Sequence, residues 1–184
     1  MTGAGTADSA AGLARQVHQA LLFRGETLAL AESLTGGLLG AAMTGVPGVS
    51  ATFRGGFVAY ATELKTALLG VDAHLIARVG PVDAGVAAQM AAGARERLRA
   101  TYGLATTGVA GPDPQDGHLP GEVYVAVSGP GGGLHRRLEL AGDRAAVRAA
   151  AVTEALRLLA ELLAGQARTG ASDGGSSGLI TELQ

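Results

Sequence analysis

Apolar side chains recur every fourth residue over residues 11–23, where Leu13, Val17 and Leu21 form one stripe, and this spacing predicts a helix that Arg24-Gly25 stops. The pattern changes at T-L-A-L-A (27–31), a short unbroken apolar run that suits a buried strand entering a turn. Residues 35–44 read as helix, G-V-P-G-V-S (45–50) as loop, and F-R-G-G-F-V-A-Y (53–60) as a strand whose paired glycines point to a bulge or a close backbone approach. Thr62 is placed to cap a helix running to residue 69, with Gly70 at its end. Asp83 is placed to cap a longer one to residue 100, in which Val86, Met90, Ala94 and Leu98 repeat at four-residue spacing. Residues 104–107 form a strand running into G-V-A-G-P (108–112), and 113–120 a loop. Strands at 123–127 and 134–140 are joined across G-P-G-G-G (129–133) as an antiparallel hairpin. Gly142-Asp143 precedes a last helix to residue 164, with Val147, Ala151, Ala155, Leu158 and Leu162 toward the core.

Strands separated by helices predict an α/β fold, a three-layer α/β/α sandwich on a mixed, mostly parallel sheet with the hairpin as its antiparallel part. A length of 184 residues with 47% hydrophobic residues supports one core, so the expected organisation is a flexible start (1–7), one domain (8–164) and a Gly/Ser-rich disordered tail (165–184). Thirty glycines and many alanines supply the small residues for closely packed elements.

Composition narrows the chemistry. With no cysteine, thiolate metal sites and cysteine nucleophiles are excluded. The four histidines (His18, His74, His118, His135) lack the helical spacing that aims two imidazoles at one metal, so no metal is expected. No apolar run reaches the roughly 18 residues of a membrane span, and the amino terminus lacks a signal-peptide pattern, so a cytoplasmic location with no membrane contact is expected. A net charge of −2 gives no footprint for direct nucleic-acid binding; Arg95, Arg97 and Arg99 on a helix would be spread over a solvated face.

Four segments carry candidate chemistry. A-E-S-L-T-G-G (31–37) sits where a strand ends and a helix begins, so its backbone N–H groups could attract an anion, with Ser33 and Thr35 adding hydroxyls and Gly36 and Gly37 allowing close approach. The same residues also suit a plain helix cap. Ser50, Tyr60 and Lys65 form a second group, because a serine attacks only when a base takes its proton and a desolvated lysine can do so. Lys65 is the only lysine against thirteen arginines, which is compatible with a need for an amine that can be neutral; an exposed helix-face lysine is the alternative. T-T-G-V-A-G-P-D (106–113) lies at a strand end, where Thr107 and the N–H groups near Gly108 could form an anion nest or simply a turn. In G-D-R-A-A-V-R (142–148), Arg144 opposes the helix dipole and so points to a ligand or an ion-pair partner.

Together, A-E-S-L-T-G-G (31–37), P-G-V-S-A-T-F (47–53), G-G-F-V-A-Y (55–60) with Lys65, T-G-V-A-G-P (107–112), P-G-E-V-Y-V-A (120–126) and G-D-R-A-A-V-R (142–148) resemble the CinA carboxy-terminal domain family, which includes nicotinamide-nucleotide amidohydrolases. The resemblance runs from about residue 8 to 164 and implies a standalone member without the larger amino-terminal domain of some relatives. It implies conversion of nicotinamide mononucleotide to nicotinate mononucleotide and ammonia in pyridine-nucleotide salvage, without metal or cofactor, by a small-molecule hydrolase that is commonly a homo-oligomer. Carried onto this chain, the resemblance makes Ser50 the nucleophile, Lys65 its base and Tyr60 a proton relay or orienting hydroxyl. Ser33, Thr35, Gly36, Gly37, Thr107, Gly108 and Arg144 would line the substrate or oxyanion site. Ser33, at a strand-to-helix junction, is the rival nucleophile. The alternative to an enzyme is a non-catalytic nucleotide- or protein-binding module linked to competence or DNA damage.

Overall fold

The computed structural model describes residues 7–172; the expected flexibility of residues 1–6 and disorder of 173–184 lie outside the described residues. Five strands, β1 (Leu28–Glu32), β2 (Phe53–Val58), β3 (Tyr102–Gly108), β4 (Glu122–Gly129) and β5 (Gly132–Glu139), form one sheet in the order β2-β1-β3-β4-β5. β1 is parallel to both β2 and β3, while β4 is antiparallel to β3 and to β5. Only β4 is therefore reversed, which makes the sheet mixed with a majority direction, as expected for this α/β chain.

Side-chain alternation along the strands separates two cores. Leu28 and Leu30 of β1, Tyr102 and Leu104 of β3, and Val123, Val125 and Val127 of β4 face one layer. That layer consists of α1 (Ala10–Arg24), α2 (Leu38–Thr44) and α6 (Arg144–Ser172). Ala29, Ala31, Ala105 and Ala126 face the other, in which α3 (Thr62–Leu69), α4 (Ala73–Val79) and α5 (Ala84–Arg97) lie. The alanine face lets α5 approach closely. A β-carbon on Gly103 would lie 1.9 Å from Ala91 O, and one on Gly93 1.9 Å from Leu69 O, so both contacts require glycine.

Asp83 caps α5 as expected, accepting from Gly85 N at 2.7 Å. Other boundaries differ. Ala61 rather than Thr62 occupies the cap of α3, with Thr62 as its first helical residue. α2 starts at Leu38, because residues 33–37 fold as a turn whose Gly36 and Gly37 are left-handed. The hairpin strands continue through the glycines to a Gly129–Gly132 pair, leaving Pro130-Gly131 as a two-residue turn. Helix α4, which the apolar spacing does not predict, is capped by Asp72, which accepts from His74 N at 2.8 Å. α6 extends to Ser172, so residues 165–172 of the expected tail are helical. Among the described residues no helix is long and apolar enough to cross a membrane.

The parallel strands β1, β2 and β3 end at the same edge. They deliver Ser33, Ala59-Tyr60 and Val109–Gly111 side by side, where the loops beyond strand carboxyl ends customarily make a site.

Candidate active site

Ser33 directly follows β1, and two ladder-like hydrogen bonds fix its surroundings. Ser33 N donates to Thr106 O at 3.0 Å, and Ala59 N donates to Glu32 O at 2.9 Å. The second bond extends the β2 pairing by one residue and holds the Ala59 carbonyl beside Ser33. In α3, Lys65 and Leu69 lie four residues apart on the buried stripe, so the lysine occupies a position where the helix period asks for a hydrophobe. Its side chain is 1% exposed, and Nζ donates to Ser33 Oγ at 3.1 Å and to Ala59 O at 3.0 Å. Burial pulls the Lys65 ammonium down from 10.5 to about 8, against a smaller upward pull from the Glu63 carboxylate. A buried amine that can be neutral near pH 8, hydrogen-bonded to a serine hydroxyl, has the arrangement of a nucleophile and its base.

A narrow cavity of about 100 Å³ opens beside this pair. Ser33, Lys65, Tyr60, Thr107, Gly108 and Arg144 all line it. Tyr60 is 54% exposed and stands at the mouth, where its hydroxyl accepts from Arg144 Nη2 at 2.7 Å; Arg144 also donates to Gly111 O at 2.8 Å. Arg144 makes no ion pair among the described residues, so its charge is available to a ligand. Thr107 donates its hydroxyl to Pro81 O at 2.8 Å, which ties β3 to the approach to α5.

Ser50 and the 35–37 turn, both expected at the site, lie outside this cavity. Ser50 is not near Lys65. It sits in a 3₁₀ turn, Val49–Ala51, before β2 begins, and so at the amino-terminal edge of the parallel strands; it lines a separate hollow with Phe53, Arg54, Arg97, Leu98 and Arg99. Thr35, Gly36 and Gly37 likewise do not line the cavity. Thr35 is fully buried against Thr106, hydroxyl to hydroxyl at 2.8 Å, and Gly36 N donates to Ser33 O.

The amide cluster at the start of α2 already holds an anion from the protein itself. The Glu32 carboxylate, 3% exposed, accepts from Gly37 N at 2.9 Å, Leu39 N at 3.1 Å and Gly40 N at 2.8 Å. Arg148 completes the clamp from α6, donating to Leu34 O at 3.0 Å and Thr35 O at 2.8 Å. Both residues were legible: the acid directly precedes the serine, and Arg148 follows Arg144 by one helical turn. Glu32→Ala leaves three N–H groups without their acceptor and is expected to lower unfolding free energy by about 2 kcal/mol, measured by urea denaturation. The N–H groups of Leu34 and Thr35 have no protein partner among the described residues, which leaves two donors directly after Ser33.

The CinA C-terminal domain family model matches residues 10–163. A CinA-like protein of Frankia casuarinae is 54% identical over 145 residues, covering 79% of this chain, and one of an Anaeromyxobacter strain is 51% identical over 140 residues, covering 76%. The chain spans only about a third (34%) of the length of each. Among solved structures, a CinA superfamily protein of Klebsiella pneumoniae superposes with a TM-score of 0.82 at 34% identity, covering 85% of this chain and 99% of that one. The competence/damage-inducible protein CihA of Agrobacterium tumefaciens gives 0.80 at 35% identity, covering 83% and 94%. With this fold, this cavity and these relatives, the chain belongs to the CinA C-terminal domain family.

Proposed function

We propose that the chain is an amidohydrolase that converts nicotinamide mononucleotide to nicotinate mononucleotide and ammonia, with Ser33 as nucleophile and Lys65 as its base. The observation that carries this reading is the Lys65 Nζ to Ser33 Oγ hydrogen bond of 3.1 Å at the wall of a cavity. Neutral Lys65 takes the Ser33 proton as Oγ bonds to the carboxamide carbon, and the N–H of Leu34, which lines the cavity, is the donor for the oxyanion. The C–N bond then breaks, the Lys65 ammonium gives its proton to the departing nitrogen, and ammonia leaves an acyl ester on Ser33. Water attacks that ester with Lys65 again as base, releasing the carboxylate and restoring the serine. Arg144 at the mouth suits the substrate phosphate, and Asp113, the one carboxylate lining the cavity, suits the positive pyridinium ring.

Ammonia release from nicotinamide mononucleotide by the purified chain tests this reading. Steady turnover in the presence of a chelator is expected. Binding of the nucleotide without ammonia overturns the hydrolase reading and leaves a module that binds without turnover.

A further inference from the structure

The hollow around Ser50, about 610 Å³, gathers Arg54 from β2 with Arg97 from the end of α5 and Arg99 just beyond it. α5 ends at Arg97, so Arg99 leaves the helix and joins the other two instead of spreading around a helical face. No carboxylate lines the hollow, and none of the three guanidiniums forms an ion pair among the described residues. By contrast, Arg136, Arg137 and Arg157 each hold a carboxylate. Arg54 donates Nε to Leu98 O at 3.0 Å, which orients its guanidinium and leaves both Nη groups without a protein acceptor.

The backbone of Arg99 is a second, independent observation. Its φ of 50° lies in the left-handed region, where the β-carbon crowds the following carbonyl; Asp116 is the other non-glycine residue there among those described. Arg99 N donates to Glu96 O and Ala100 N to Arg95 O, the closing turn of a helix in which glycine is the usual occupant. In a chain with thirty glycines, this turn keeps an arginine at a conformational cost and presents its charge to the hollow.

We propose that Ser50, Arg54, Arg97 and Arg99 bind the phosphate group of a small phosphorylated anion, at a site separate from the Ser33 cavity. Guanidinium N–H groups pair with phosphate oxygens in bidentate geometry, and the Ser50 hydroxyl adds one donor. The site stands apart from the proposed hydrolysis, because pyrophosphate and adenosine monophosphate carry no carboxamide.

Titration calorimetry of the whole chain with inorganic phosphate, pyrophosphate and adenosine monophosphate, against sodium chloride at matched ionic strength, tests it. Saturable binding of at least one phosphate probe is expected, weakened at least tenfold in Arg97→Gln and in Arg99→Gly. Arg99→Gly is also expected to melt at the same or a higher temperature than the parent, because glycine relieves the left-handed turn. Tighter binding of adenosine monophosphate than of pyrophosphate identifies a nucleotide as the source of the phosphate; the reverse order identifies a free phosphate. The proposal is overturned by no saturable binding of any probe, by unchanged affinity in Arg99→Gly, or by an Arg99→Gly protein that melts lower. Binding that survives Arg54→Gln/Arg97→Gln/Arg99→Gly and vanishes in Arg144→Gln also overturns it, since the anion then sits at the other cavity.

Discussion

Ser33→Ala is expected to cut ammonia release from nicotinamide mononucleotide by about 10³-fold or more, while Ser50→Ala stays within about twofold of the parent. The contrast is geometric. Lys65 Nζ reaches Ser33 Oγ at 3.1 Å, whereas Ser50 lies beyond the far end of β2. Steady-state rates of both variants, with urea denaturation to confirm equal folding, make the comparison. A fully active Ser33→Ala protein removes Ser33 as nucleophile, and a silent Ser50→Ala protein that is folded restores the serine first indicated by sequence.

Lys65→Met is expected to lose activity by a similar factor and, unlike most losses at a buried polar site, to leave the protein at least as stable at pH 7. An ammonium whose folded pKa is about 8 instead of 10.5 disfavours folding by about 3 kcal/mol at pH values below both. Between about pH 8 and 10.5 the unfolded chain holds a proton that the folded chain lacks, so parent stability rises with pH across that window. Methionine removes the titration. Urea denaturation at pH 7 and pH 10 therefore separates the two proteins, with the parent gaining more between the two values. The proposed hydrolysis draws on the same equilibrium, so kcat/KM of the parent is expected to rise about tenfold per pH unit below about 8 and level off above it. A pH profile that is flat from 6 to 9 contradicts lysine as the base.

Periodicity revealed most elements because their apolar stripes are strong. Leu13, Val17 and Leu21 of α1, and Val86, Met90 and Ala94 of α5, are all buried as their spacing requires. α4 was hidden because it is short and none of its residues is fully buried, although Asp72 and Gly80 bracket it. The inward lysine was legible in outline, since Lys65 precedes Leu69 by one turn. Its partner was not. Ser50, Tyr60 and Lys65 are near neighbours in sequence, yet the six residues of β2 carry the chain about 20 Å across the sheet between the serine and the tyrosine. The serine that meets the lysine lies 32 positions away, just past the end of β1, and only the parallel pairing of β1 with β2 brings the two together. Likewise, the glycine turn at 36–37 reads as an open anion cradle until the Glu32 carboxylate is found filling it.

β1 is buried along its whole length and flanked on both edges, and Ser33 is its immediate continuation. Backbone so placed opens last, with amide exchange rates set by the unfolding of the whole domain and not by local fraying. Heat should then inactivate and unfold this protein in one event. Loss of the proposed activity then becomes a report on global stability, and a stabilising change made anywhere in the core is expected to extend its lifetime.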